Sequence, residues 1–275
     1  MNCDLLQVSR EVGNLVKATR TVYFVDNEPL TRTLVDSGIN GSIIASSKQS
    51  LLEMVDESMR LYVPEITPTS PTKYAVMKCL DRKLVNVGDV VVCVSKRFSP
   101  LDTIYIVPVE ESLKEELGFL KEVGMEVLET VLRIAVELGR EGKEGLAVGT
   151  AFVVGDSKAV LRNSHQMTLN PFKGHPRASR NVLNPDIKEV IKSFSLLDGA
   201  FVISEKGLIE CAGRYLDVDA SDVEIPPGLG ARHAAVAGIT KITSSVGITV
   251  SKSGGIVRVF KDGKLIRGLD PRSFT

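Results

Sequence analysis

Apolar residues in the first 110 positions fall into short blocks whose spacing switches between helical and extended periods. Leu5, Leu6, Val12, Leu15 and Val16 recur at helical spacing, and the β-branched and aromatic run at 21–25 predicts a strand. Asp26 opens a capped helix reaching 35, a strand follows at 41–45, and a further helix at 47–59. A brief strand covers 61–63. Pro71 stands where the first turn of a helix accepts it, ahead of the helical run 73–80. Strands at 90–94 and 103–109 close the segment. Continuous apolar strands between helices predict a mostly parallel sheet covered on both faces, a three-layer α/β unit.

From Glu110 the pattern changes. Leu113, Leu117, Leu120, Val127, Val131, Ala135 and Leu138 advance by three, four or seven, predicting one long amphipathic helix or two joined near Gly124. Short strands are expected at 146–154, 200–203, 208–211, 247–250 and 257–260, with a helix at 187–197. The domain boundary is placed near 108–114, giving units 1–110 and 111–275.

Charge narrows the function classes. The 275 residues hold 34 Lys+Arg against 34 Asp+Glu, so no bulk electrostatic coating of DNA or an anionic membrane is expected. Apolar runs such as Val90-Val91-Val92-Cys93-Val94 are strand-sized, short of the ~18 residues a membrane span needs. The N-terminal residues lack a basic-then-apolar leader pattern. Cys3, Cys79, Cys93 and Cys211 are dispersed with no CxxC pair, which predicts buried reduced thiols and a cytoplasmic location.

Three polar features stand out in the second half. Asp198-Gly199-Ala200 lies between a helix and a strand, where a terminating glycine beside an acid is the ordinary structural reading. Gly228-Leu229-Gly230-Ala231-Arg232-His233-Ala234-Ala235 is a glycine-flanked turn entering a small-residue helix. Exposed N–H groups at such a helix start attract phosphate, and Arg232 adds a planar fork suited to phosphate oxygens. Val250-Ser251-Lys252-Ser253-Gly254-Gly255 is a hairpin turn carrying hydroxyl, amide and ammonium groups. Basic residues also outnumber acidic ones between Asp156 and Lys192, a candidate local positive field.

In their order these pieces resemble the diadenylate cyclase (DAC) domain family. Leu146-Ala147-Val148-Gly149-Thr150-Ala151-Phe152-Val153-Val154-Gly155-Asp156 is similar to its opening strand. Leu169-Asn170-Pro171-Phe172, the DGA motif at 198–200 and Gly213-Arg214-Tyr215-Leu216 follow at family-like distances. Gly230-Ala231-Arg232-His233 matches the Gly-Thr-Arg-His-Arg signature, and Ile239-Thr240 and Val250-Ser251 match the closing segments. Two departures fall in the signature: Ala231 replaces its threonine and Ala234 its second arginine. Lys241 and Lys252 stand where bacterial members carry glutamate. The pattern is similar to the archaeal branch, which carries a pyruvate kinase C-terminal-like domain in front, here 1–110, ahead of a mixed-sheet DAC domain at 111–275.

The resemblance implies a metal-dependent nucleotidyltransferase condensing two ATP into cyclic di-AMP and two pyrophosphates, with Mn²⁺ favoured over Mg²⁺. Asp198 is implied at the ribose 3′-hydroxyl, as a metal ligand or an aid to proton loss. Gly199 and Ala200 would present backbone groups to adenine, with Leu216 packing on the base. Gly230, Ala231, Arg232, His233, Ala234 and Ala235 would form the nucleotide loop. Arg232 and His233 would contact phosphates, with His233 a further metal ligand. Ser251 and Lys252 would add phosphate contacts, Lys252 or Lys241 standing in for the missing arginine. Two DAC domains facing each other imply a homo-oligomer. The alternative is a degenerate ATP or cyclic di-AMP sensor or assembly protein, for which Ala231 and Ala234 are the favouring features.

Overall fold

The structure, a computed structural model, describes residues 3–38, 41–95, 103–219, 223 and 225–274, with side chains from residue 6 onward. The expectation for the Cys3 thiol therefore lies outside the described residues. The chain divides into two compact units, Met1–Gly118 and Phe119–Thr275.

The first unit runs α1 (Cys3–Leu15), β1 (Arg20–Phe24), α2 (Glu28–Asp36), β2 (Ser42–Ser46), α3 (Gln49–Leu52), β3 (Arg60–Tyr62), α4 (Pro71–Asp81), β4 (Val90–Ser95) and β5 (Thr103–Pro108). Its sheet has the order β3-β2-β1-β4-β5; β5 alone is antiparallel to its neighbour. Side-chain caps start two of the helices: the Leu30 N–H donates to Asn27 and the Lys73 N–H to Ser70, each with proline in the first turn. Val22, Tyr23, Ile44, Val92 and Val94 are buried in the sheet, and the Tyr23 phenol meets the Ser9 hydroxyl at 2.9 Å. The helix expected at 47–59 is shortened to α3. Asp56 accepts from both the N–H and the hydroxyl of Ser58, at 2.9 and 2.7 Å, a local turn that competes with helix continuation.

The long apolar stripe resolves into α5 (Glu111–Val123) and α6 (Met125–Glu141). Gly124 separates them at φ +92, where a Cβ would lie 2.3 Å from the Glu205 carbonyl oxygen. The second unit continues with β6 (Thr150–Val154), α7 (Ser157–Arg162), β7 (Ser164–Gln166), α8 (Ile187–Phe194), β8 (Ala200–Ile203) and β9 (Ile209–Leu216). It ends with α9 (Ala231–Ile242), β10 (Val246–Val250), β11 (Val257–Lys261) and β12 (Lys264–Leu269). The sheet order is β12-β11-β10-β6-β8-β9-β7, and β6 with β8 is its parallel pair. The strand expected from 146 begins at Thr150. Strands β7 and β12 and the extension of β9 to Leu216 lie outside the expected set.

Helix α9 covers one face of this sheet. Val236, Ala237 and Ile239 form a buried cluster with Ala151, Val153, Val202 and Phe260. Every residue of β6 and β10 is buried, so both faces are covered, and α6 packs against β6, β10 and β11. Phe152 and Phe201 stack with ring centroids 5.0 Å apart, and Phe172 lies 6.2 Å from Phe201. The protein is thus an α/β chain whose second unit is a mixed sheet flanked by helices. Among the described residues no helix is long and apolar enough to cross a membrane.

The stacked pair supplies a stability test. Phe152→Ala is expected to cost about 3–5 kcal/mol in denaturant unfolding of the second unit, the usual loss for emptying a buried aromatic site.

Candidate active site

The geometry starts from glycines. The turn at 251–256 is closed by the Ser251 N–H donating to the Ile256 carbonyl at 3.0 Å and the Gly255 N–H donating to the Ser251 carbonyl at 3.1 Å. Gly255, at φ +68, lies against Gly139 of α6: a Cβ on Gly139 would sit 2.2 Å from the Gly255 carbonyl oxygen. Backbone therefore rests on backbone, which fixes the turn on the helix. Gly149, just ahead of β6, leaves room for Arg232, whose Nη1 would be 2.9 Å from a Cβ there.

Helix α9 opens at Gly230, an extended N-cap with no side-chain hydrogen bond. Its positive end faces an open cleft of about 480 Å³ lined by Gly230, Ala231, Arg232, His233, Val250, Ser251, Lys252 and Ser253. Asp198 joins this rim. Its carboxylate is 87% exposed and Oδ1 accepts from Arg232 Nη2 at 3.4 Å. The loop holding it is set by Gly199 at φ +97, where a Cβ would lie 2.6 Å from the Arg214 nitrogen and 2.7 Å from its oxygen. Arg214 in turn donates to Ser164 Oγ at 2.9 Å and to the Leu161 and Ser164 carbonyls at 2.8 and 2.7 Å, pinning β7 to β9.

His233 points inward. It is 8% exposed, its ring meets the edge of Phe260 at 6.2 Å, and Nε2 has no hydrogen-bond partner. Burial lowers its pKa, and the Arg258 and Arg232 guanidinium groups lower it further, so the imidazole is held neutral. The structure thus brings Asp198, Arg232, His233, Ser251 and Lys252 to one place. Ala200 and Leu216 are buried in the core cluster of the α9 face, while Ala234 and Ala235 are half-buried on the helix. Lys241 occupies the last turn of α9, its Cβ 3.2 Å from where a Gly263 Cβ would be, and does not line the cleft. Sequence reasoning missed Arg258, whose Nη1 is buried and unpartnered. Its signal was a lone cation in a strand otherwise apolar from Val257 to Phe260.

A divalent ion has a limited donor set here. Among the described residues no group of three His, Cys, Asp or Glu side chains could hold a metal. Asp198 offers an exposed hard oxygen and His233 an unpartnered nitrogen. With one exposed and one buried donor, a divalent ion here would need further ligands from elsewhere.

Residues 137–265 match the family model described as DAC, DisA bacterial checkpoint controller nucleotide-binding. A protein of Methanocaldococcus jannaschii named diadenylate cyclase is 42% identical over 206 residues, covering 72% of this chain and 65% of that relative. A diadenylate cyclase of Haloferax volcanii is 37% identical over 206 residues, covering 74% of this chain and 76% of its own length. A solved structure of DacA from Staphylococcus aureus is 20% identical with a TM-score of 0.39, covering 54% of this chain and 90% of that one. The chain belongs to the diadenylate cyclase family. It spans about 65% of the length of the Methanocaldococcus relative.

Two outcomes follow from this geometry. Gly199→Ala should lose about 1–3 kcal/mol of stability from the forced backbone conformation and the contact with Arg214. Gly228→Ala, at φ +86 but with nothing within 4 Å, should lose less in the same melt. His233 has a folded pKa below its unfolded value of ~6.5, so the unfolded chain takes up that proton first. Its contribution is intact above pH ~6.5 and is lost as pH falls below that. Unfolding followed from pH 7.5 to 5.5 should therefore show wild type losing more stability than His233→Asn.

Proposed function

We infer that this protein condenses two ATP molecules into cyclic di-AMP with release of two pyrophosphates. The observation carrying this reading is a carboxylate, Asp198, beside Arg232 on the rim of a cleft formed by a bare helix start and the Ser251-Lys252 turn. Membership of the diadenylate cyclase family supports it, as do the names of the two relatives.

In each half-reaction a ribose 3′-oxygen bonds to the α-phosphorus of the other nucleotide, and the bond from that phosphorus to the bridging oxygen breaks. The 3′-hydroxyl loses its proton and pyrophosphate leaves with the electron pair. Such chemistry asks for alignment and charge stabilisation more than for covalent intermediates. In this reading Asp198 accepts the hydrogen bond of the 3′-hydroxyl and draws off its proton. Arg232, the N–H groups of the first turn of α9, Ser251 and Lys252 bind the phosphates. His233, neutral and buried, offers an acceptor or a ligand rather than a charge. A divalent ion bound by Asp198 and His233, Mn²⁺ on the family resemblance, would supply further charge neutralisation at the phosphates.

Gly199 and Ala200 contribute backbone groups beside the base, and Leu216 supports that wall from within the core. One exposed site holds one nucleotide, so the product requires two copies face to face. We read the first unit, on the sequence resemblance, as a pyruvate kinase C-terminal-like domain, and the protein as cytoplasmic. Ala231 and Ala234, which remove a hydroxyl and a guanidinium from the signature, favour a second reading as a nucleotide-binding sensor.

Incubation with ATP and Mn²⁺ or Mg²⁺ should yield cyclic di-AMP by mass detection; binding of ATP without product would select the sensor. Asp198→Asn should lower the rate by at least roughly a hundredfold with the fold intact, the range expected for a general base. Specific activity should fall on dilution below the dimerisation range, and a constant value in a proven monomer would remove the face-to-face scheme.

A further inference from the structure

Three buried polar atoms without partners lie on one face of the sheet, beneath the first turn of α9. They are His233 Nε2, Thr249 Oγ1 and Arg258 Nη1. Thr249 and Arg258 are directly paired across β10 and β11. Arg258 and Phe260 are two residues apart and so share a face, and Phe260 is the ring against which His233 packs. Alternation thus puts the guanidinium, the hydroxyl and the imidazole side by side. Of the three, His233 lines the cleft itself, and Thr249 directly precedes Val250 and Ser251, which also line it, so Arg258 and Thr249 lie just beneath its floor.

Buried polar groups in a folded protein are normally paired, and a shielded cation is normally met by a counter-charge. Arg258 forms no ion pair within the described residues, and the neighbouring rim cation, Arg232, repeats its sign. A guanidinium with a hydroxyl paired beside it, and with no carboxylate to neutralise it among the described residues, is complementary to an oxyanion. The departure in the signature points the same way. Ala234 leaves α9 without its second guanidinium, and Lys241 is at the wrong end of the helix to replace it.

We propose that Arg258 is the second phosphate-binding guanidinium of this site, reaching the polyphosphate from β11 beneath the helix while Arg232 reaches it from the rim. The inference rests on the reading of the cleft as an ATP site. It assigns to a strand the charge that the family signature carries on a helix. Thr249 adds a hydroxyl beside Arg258, next to the His233 ring.

Calorimetry on the full chain with ATP and with adenosine tests this. Arg258→Met keeps the length of the side chain without its charge. It should weaken ATP by at least roughly tenfold, the loss expected for a charge-assisted hydrogen bond, and leave adenosine affinity unchanged. Arg258→Lys should recover part of the ATP affinity and also serves if the methionine variant melts early. Ala234→Arg added to Arg258→Met should restore ATP binding. Unchanged ATP affinity in both Arg258 variants, or an equal loss for ATP and adenosine, would overturn the proposal. Wild-type protein that binds no ATP would instead overturn the reading of the cleft.

Discussion

Helix α9 can lie as close to the sheet as it does because position 247 carries no side chain: a Cβ there would fall 2.2 Å from Val236 Cγ1 and 3.1 Å from Thr240 Cγ2. On the outer side Gly238 makes the corresponding concession, where a Cβ would lie 2.9 Å from Val218 Cγ2. The helix is therefore seated on strand β10 by contact of its second and third turns, and its first turn overhangs the strand ends at a fixed height. Arg232 and His233 take their positions from that seating. The turn at 251–256 is positioned independently by the Gly139–Gly255 backbone contact, so two rigid elements define the cleft walls. Functional side chains held by packed elements keep their geometry better than those held by loops.

The groups of the site differ in how tightly they are held. Arg232 lies over Gly149 and His233 is packed on Phe260, whereas Asp198 is almost fully exposed. The Asp198–Arg232 contact, 3.4 Å and open to solvent, is of the kind worth about 0–1 kcal/mol. It is cheap to exchange. A nucleotide can place a phosphate on the guanidinium and a hydroxyl on the carboxylate in one movement, with little lost from the unbound state. The restraint on Asp198 comes instead through the backbone, from Gly199 wedged against the Gly213–Arg214 peptide.

The amphipathic stripes and buried strands of both units were legible in the sequence because they obey simple periods. The break at Gly124 was legible as a glycine inside a helical stripe. Helix 47–59 misled because its apolar spacing continues past Asp56, whereas the backbone tightens into turns after Leu52. The Met54 and Val55 N–H groups donate to the Leu51 and Leu52 carbonyls, and Asp56 then holds Ser58 in a further turn. Strand β12 was hidden by its edge position, since Lys264, Arg267 and Gly268 give no continuous apolar run. In the site, Asp198, Arg232 and His233 were legible through the order of motifs. Arg258 was not, because a lone cation in an apolar strand carries no motif. The register adds what its two-residue spacing from Phe260 does not, the pairing with Thr249 on the same face.

Charge balance over the whole chain is compatible with a polyanion site because such a site needs only a few placed cations. The basic surplus between Asp156 and Lys192 promised a field beside the site, yet several of its members are used internally. Lys192 is enclosed by Glu137, Glu189 and Glu141 at 3.2, 3.4 and 3.8 Å, and Lys188 pairs with Glu137 at 2.5 Å. Arg180 donates to the Ile209 carbonyl at 2.7 Å and faces Glu210 at 3.5 Å. In the cleft neutralisation is incomplete. Arg232 meets one exposed carboxylate, and Arg258 meets none among the described residues. An anion drawn to this molecule is therefore held where two guanidinium groups converge, and the field that selects it comes from their geometry rather than from the number of basic residues.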